Sequence, residues 1–154
     1  MREWPLYERP GHLINRAARV MMRLAEGRFR PMGLGVASFP VLTMLRRGEK
    51  LSQKELTARV RIEQSSMAQL LARLERDGMI ERTPDPNDGR STLISLSAKA
   101  MALLPQIDLA VNVGNEEATA GMSDAEIDLL VHLLQRLIGN LESVREKEEA
   151  SAEV

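Results

Sequence analysis

The chain contains no cysteine, which excludes disulfides, thiolate-bound metal, cysteine nucleophiles and thiol-based redox sensing. Its two histidines, His12 and His132, lie far apart, and neither belongs to a His-x-x-x-His pattern. A structural zinc needs three or four good ligands, so neither a metal nor a cofactor is expected. Aromatic residues make up 3% of the chain, too few to supply the stacking platforms used on single-stranded nucleic acid. No apolar run approaches the ~20 residues of a membrane-spanning helix. The start, Met1-Arg2-Glu3-Trp4-Pro5, lacks the apolar stretch and cleavage site of a signal peptide. A cytoplasmic protein without a membrane partner is therefore expected. No nucleophile–base pair or phosphate loop is visible, and Gly33-Leu34-Gly35 is too short a glycine fragment to signify. The chain does not read as an enzyme.

What remains is a charged, core-forming sequence. Its 154 residues are 44% hydrophobic and 28% charged, enough to bury one core. The formal net charge of −1 hides a polarity: residues 1–90 hold 17 Lys and Arg against 11 Asp and Glu, residues 91–154 hold 4 against 11. A basic front is joined to an acidic back, and each half needs its own explanation.

Apolar residues at Leu13, Ile14, Ala17, Ala18, Met21 and Leu24 trace a helical stripe, with Arg16, Arg19 and Arg23 opposite. Pro31 and Gly33 stop it. A second helix is expected over about Val36–Arg46, with Pro40 in its first turn and Gly48 at its end. Ser52-Gln53-Lys54-Glu55 is a capping box that opens a short helix to about Val60. After the step Arg61-Ile62-Glu63, a longer helix is expected from Gln64 to Asp77. It has Met67, Leu70, Leu71 and Leu74 inward, Glu63 at its start and Gly78 as its stop. The period then changes. Residues 79–83 and 91–96 read as two short strands around the turn-rich Pro84-Asp85-Pro86-Asn87-Asp88-Gly89-Arg90. Ser97 caps a further helix, which Pro105 should kink. Ser123-Asp124-Ala125-Glu126, a second capping box, opens a stripe at Ile127, Leu130, Val131, Leu134, Leu137, Ile138, Leu141 and Val144. The acidic tail after Arg145 is expected to fray.

A short capped helix, a tight turn, a longer helix and a hairpin make a winged helix-turn-helix. Such a helix fits the major groove, where its amino-terminal side chains meet base edges. The exposed face of the longer helix offers Gln64, Ser65, Ser66, Gln69, Arg73 and Arg76, donors and acceptors of the sizes that read bases. Polar residues on a surface helix are usually only solvated; here the capped helix before and the hairpin after favour the reading role. Arg90 at the loop can enter a narrow minor groove, and Asp88 is placed to brace its guanidinium.

Ser52-Gln53-Lys54-Glu55-Leu56, Ile62-Glu63-Gln64-Ser65-Ser66 and Leu70-Leu71-Ala72-Arg73-Leu74-Glu75-Arg76-Asp77-Gly78-Met79-Ile80 resemble the helix-turn-helix of the MarR family of bacterial transcription regulators. Asp85-Pro86-Asn87-Asp88-Gly89-Arg90 resembles that family's wing signature, Asp-x-x-Asp-x-Arg. The Ile-Glu-Gln stretch and the spacing to Leu74-Glu75 are similar to the SlyA branch, and the likeness extends over essentially the whole chain. The resemblance implies a symmetric dimer on double-stranded DNA, with recognition helices in successive major grooves and wings in flanking minor grooves. It also implies repression, relieved by a small, often phenolic or anionic, effector held between the dimerisation and DNA-binding lobes. By position it implies base contacts from Ser65, Ser66 and Gln69, base or phosphate contacts from Lys54 and Arg73, and a minor-groove contact from Arg90. Two positions depart: SlyA-like proteins tend to carry arginine where Gln69 stands, and Ala100 replaces the usual glycine after the wing.

The carboxy-terminal stripe carries more apolar surface than a lone helix can leave wet. Paired with the amino-terminal stripe in two chains, it would build a helical dimer lobe, and a two-fold dimer reads a pseudo-palindromic operator. The expected architecture is mainly α with a small β-hairpin wing. One winged helix-turn-helix domain spans 9–145, with the helix-turn-helix at 52–78, the wing at 79–96 and dimerisation helices at 9–30 and 98–145. Of the nine methionines, Met21, Met22, Met32 and Met44 cluster in the first two helices. Adaptable core filling is their ordinary role. The alternative is a yielding effector-pocket wall at Met44, with His12 or Arg16 meeting an anionic ligand. The competing functional reading is a winged-helix adaptor that binds protein and not specific DNA.

Overall fold

The computed structural model describes residues 3–152; the start Met1-Arg2 and the last two residues of the tail lie outside that range. The chain divides into two units, one through Gly114 and one from Asn115.

In the first unit, α1 (Pro10–Phe29) begins with proline at its first position, where the missing N–H costs nothing. A single 3-10 turn, Arg30–Met32, follows and stops at Gly33, whose φ of 72° suits glycine. The second helix is shorter than expected: Val36–Ser38 is a 3-10 turn, and the α-helix proper, α2, is Phe39–Leu45. Pro40 sits in its first turn. A carboxylate from α1 serves the entry, because Glu26 Oε2 accepts the Val36 N–H at 2.9 Å.

The sheet has one strand more than the sequence suggested. β1 (Leu51–Ser52) pairs antiparallel with β3 (Thr92–Leu96), which also pairs with β2 (Ile80–Pro84), giving the order β1-β3-β2. Two residues are too few to show a period, which is why β1 escapes pattern reading. Pro84 lies at the end of an edge strand, where no ladder donor is needed.

Between β1 and β2 run α3 (Gln53–Val60) and α4 (Gln64–Arg76). The Ser52 box forms in full: Ser52 accepts from the Glu55 N–H, and the Glu55 carboxylate accepts the Ser52 N–H at 2.8 Å. Glu63 stands at the N-cap of α4 but makes no side-chain cap bond. Gly78, at φ 70°, ends α4, and the Met79 N–H returns to the Leu74 carbonyl at 2.8 Å. Leu42, Leu45, Leu56, Leu71, Ile94 and Ile107, each at most 1% exposed, mark the core on which these elements converge.

Ser97 caps α5 (Ala98–Ala118), accepting the Ala100 N–H at 3.1 Å. The helix passes through Pro105 without interruption. Arg46, the residue that closes α2, reaches Asp108 of α5 at 2.6 Å. The apolar stripe of α1 is left open: Leu13, Met21 and Leu24 are 48%, 44% and 50% exposed.

In the second unit, the last turn of α5 and a bend at Gly121 (φ 83°) lead to α6 (Asp124–Ala152). The second capping box also forms, with the Glu126 carboxylate accepting the Ser123 N–H at 2.8 Å and Ser123 Oγ accepting the Glu126 N–H at 3.4 Å. Leu130, Val131, Leu134, Ile138, Leu141 and Val144 are exposed, while Ile127 and Leu137 are half-buried. The acidic tail does not end the helix at Arg145. It continues to Ala152 on strong helix formers, aided by the Arg145–Glu149 pair one turn apart at 3.3 Å. Among the described residues, no helix is long and apolar enough to cross a membrane.

Candidate nucleic-acid interface

The turn between α3 and α4 is made by Arg61, which takes a left-handed conformation at φ 57° and donates its N–H to the Thr57 carbonyl at 2.9 Å. One such residue reverses the chain in the shortest distance that still lets Ile62 pack against the core. The helices on either side then pack against each other.

On α4 the 3.6-residue period separates two faces. Met67, Leu71 and Leu74 are buried, whereas Gln64, Ser65, Ser66, Gln69 and Arg73 are exposed. Gln64, Ser65 and Ser66 fill the first turn, where backbone N–H groups lack helical partners. Among the described residues, the side chains of Gln64, Ser65, Ser66 and Gln69 have no hydrogen-bond partner, so their donors and acceptors are available to a ligand.

The carboxy-terminal end of α4 is held firmly. Ser97 Oγ donates to the Gly78 carbonyl at 2.7 Å, and Lys99 Nζ donates to the Asp77 carbonyl at 2.8 Å. Arg76 pairs with Asp77 at 3.2 Å and Arg82 of β2 with Glu75 at 2.9 Å. Arg73 differs from the free polar residues. It is paired with Asp77 at 3.7 Å, and its guanidinium lies over Gly35, where an added Cβ would meet Nη1 at 3.7 Å. With Gly33, Leu34, Ser38, Leu70 and Leu74 these groups line a crevice of about 20 Å³, room for about one water.

Register places the wing and α3 together. Thr92 stands opposite Pro84 at the loop end of the hairpin, and Ser52 stands opposite Leu93. The start of α3, with exposed Lys54, therefore lies at the same end of the sheet as loop 85–91. The Glu55 carboxyl beside it is held below its ordinary value of 4.5 by the Ser52 N–H, with the Ser52 hydroxyl second.

The loop is tied by its own carboxylates. Asp85 Oδ1 accepts the Asn87 N–H at 2.9 Å, and Asp88 Oδ1 accepts the Arg90 N–H at 3.0 Å. Across the loop, the Asp85 N–H reaches the Ser91 carbonyl at 3.0 Å. Asp88 thus supports Arg90 through the backbone and not by bracing its guanidinium, because an Asx turn two residues long satisfies the carboxylate locally. The exposed Arg90 side chain has no ion-pair partner among the described residues.

Of the three effector-pocket candidates, His12 and Arg16 lie on α1 and Met44 on α2. His12 is half-buried with its ring edge-on to Tyr7 at 5.9 Å, Arg16 is exposed, and Met44 packs against the core. No hydrogen bond, ion pair or ring contact among the described residues joins them. The sequence reading passed over Glu75, Arg82 and Lys99. Only Arg82 had a legible signal, since alternation puts it on the same face of β2 as buried Ile80.

The model of the MarR family matches residues 32–91, from the turn before α2 through the wing. The crystal structure of a MarR mutant from E. coli complexed with operator DNA matches with a TM-score of 0.76 at 27% identity, over 82% of this chain and 91% of that one. The winged helix-turn-helix of this chain is of the MarR type. As a MarR-family winged helix it is a transcription regulator and not an enzyme. It is 27% identical over 127 residues to the HTH-type transcriptional regulator YwoH of Bacillus subtilis (strain 168), covering 82% of this chain and 92% of YwoH. BpsR of Bordetella bronchiseptica, solved in work on regulation of its DNA binding by 6-hydroxynicotinic acid, shares the fold at 24% identity. Its TM-score is 0.78 over 88% of this chain and 97% of BpsR.

Proposed function

We propose that this MarR-family regulator acts as a cytoplasmic, nucleoid-associated homodimer that represses transcription from a pseudo-palindromic operator. The observation that carries this reading is the unsatisfied polar face of α4, with Gln64, Ser65, Ser66 and Gln69 exposed beside a wing that offers a free Arg90. The 27%-identical MarR structure with operator DNA supports it. Ser65, Ser66 and Gln69 read bases, Gln64 and Lys54 contact bases or phosphates at the helix starts, and Arg90 enters the minor groove. Arg73 contributes a base or phosphate contact on leaving its crevice. Support for the dimer comes from the open apolar stripes of α1 and α6, which water disfavours and a second copy would cover.

A small phenolic or anionic effector releases the operator in this reading, received near His12, Arg16 and Met44. Selection of bound sequences from a random duplex pool with purified protein tests the function. A two-fold symmetric motif is the expected result. No enrichment would overturn the reading and leave the protein-binding adaptor.

A further inference from the structure

The ion pair between Glu75 and Arg82 joins the recognition helix to the wing, and it is unlike the other contacts at this corner. Ser97, Lys99 and the Met79 N–H all hold the carboxy-terminal end of α4, at the base of the hairpin. Arg82 instead sits two residues up β2, opposite Ile94, and reaches back to Glu75 Oε2 at 2.9 Å. β2 is an edge strand, hydrogen-bonded to β3 alone. Buried Ile80 fixes its foot. The Glu75–Arg82 pair is a second point of attachment to α4, about 7 Å further along at the usual strand rise.

On its inner edge the hairpin is held by β1, which pairs with β3 at Leu93 and Ile94. On its outer edge the Glu75–Arg82 pair is what ties β2 to α4 at the same level, and the two together set the angle of the twisted ribbon beyond them. The tip magnifies any swing: Arg90 lies about two residues beyond Pro84, whose neighbour Asp85 bonds the Ser91 carbonyl, so a tilt of about 10° at Arg82 displaces it by about 2 Å. A shift of that size breaks an arginine's contacts in a groove. The side chains are 47% and 27% exposed, so the pair adds little to global stability.

We propose that Glu75 and Arg82 are positioning residues that set the angle between wing and recognition helix, so that Arg90 and the α4 side chains engage one operator together. The inference rests on the operator-binding reading above. It predicts energetic coupling between the pair and Arg90, although they do not touch.

The test is a double-mutant cycle on a selected operator, using full-length protein and fluorescence anisotropy. Arg90→Ala alone weakens binding about tenfold, and Arg82→Gln alone about fivefold. In the Arg82→Gln background, Arg90→Ala then costs less than about twofold, because a swung wing has already lost its contact. The exchanged pair, Glu75→Arg with Arg82→Glu, restores both the affinity and the Arg90 effect; thermal melting shows that each variant is folded. Additive losses, or no rescue by the exchange in a folded protein, would overturn the positioning role. If Arg90→Ala by itself leaves affinity unchanged, the minor-groove reading fails first and takes this inference with it.

Discussion

Asp88 Oδ1 accepts the backbone N–H of Arg90 at 3.0 Å, so the wing carboxylate shapes the chain that carries the arginine and leaves the guanidinium unpaired. An acceptor is needed there, and a charge is not. Asp88→Asn keeps the acceptor and should bind operator within about twofold of wild type, whereas Asp88→Ala should lose about fivefold, one hydrogen bond's worth of order. Equal losses in both variants would instead make the charge the essential property.

Gln69 stands exposed on α4 with no hydrogen-bond partner among the described residues. Gln69→Ala should relax discrimination at one base pair per half-site by about 1–3 kcal/mol. Affinity measured against a set of single-base operator variants checks this. A uniform loss across the set would make Gln69 a positioning contact.

Ser97 joins the end of α4 to the start of α5 by donating to Gly78 and accepting from Ala100, and it is 6% exposed. Ser97→Ala removes a cap and strands a carbonyl, so it should cost about 1–2 kcal/mol in urea denaturation. Ser97→Thr retains the hydroxyl and should recover much of the loss.

The two capping boxes carry a pH signature. Glu55 and Glu126 are held below the ordinary 4.5, chiefly by the N–H groups of Ser52 and Ser123. A carboxyl with a depressed folded value contributes stability that is complete above its unfolded value and disappears as pH falls through the folded one. NMR titration should therefore find both carboxyls still ionised below pH 4.5. Ser52→Ala and Ser123→Ala remove the hydroxyl and keep the N–H, so each carboxyl should move only part of the way back toward the usual range.

Much of this architecture was legible because local signals agreed. Ser52 and Ser123 are followed by glutamates at the capping-box spacing, and Gly78 stands where α4 must stop; helix limits set by such chemistry were read to within a residue. Tertiary relations were less visible. Leu51–Ser52 is a strand only because β3 passes beside it, and the tail after Arg145 is helical by propensity where composition suggested fraying. In the site, the 3.6-residue period gave the free face of α4. It could not show that Arg73 leans over Gly35, or that Asp88 turns to a backbone N–H. Side-chain partners across elements depend on geometry that no spacing encodes.

The exposed stripe of α6 should hold the dimer together. Ile138→Glu places a charge on that stripe, where Ile138 is 51% exposed, and should yield a helical monomer in sedimentation equilibrium at micromolar concentration. A dimer that survives this change would move the interface elsewhere.

The central claim is that α4 and the wing read a specific duplex, and its most direct measurement is a pair of anisotropy titrations at one fixed salt concentration. The wild-type protein is titrated against the selected operator and against a scrambled duplex of equal length. The account predicts a preference for the operator of about 10³ or more. Equal affinity for the two duplexes would contradict it.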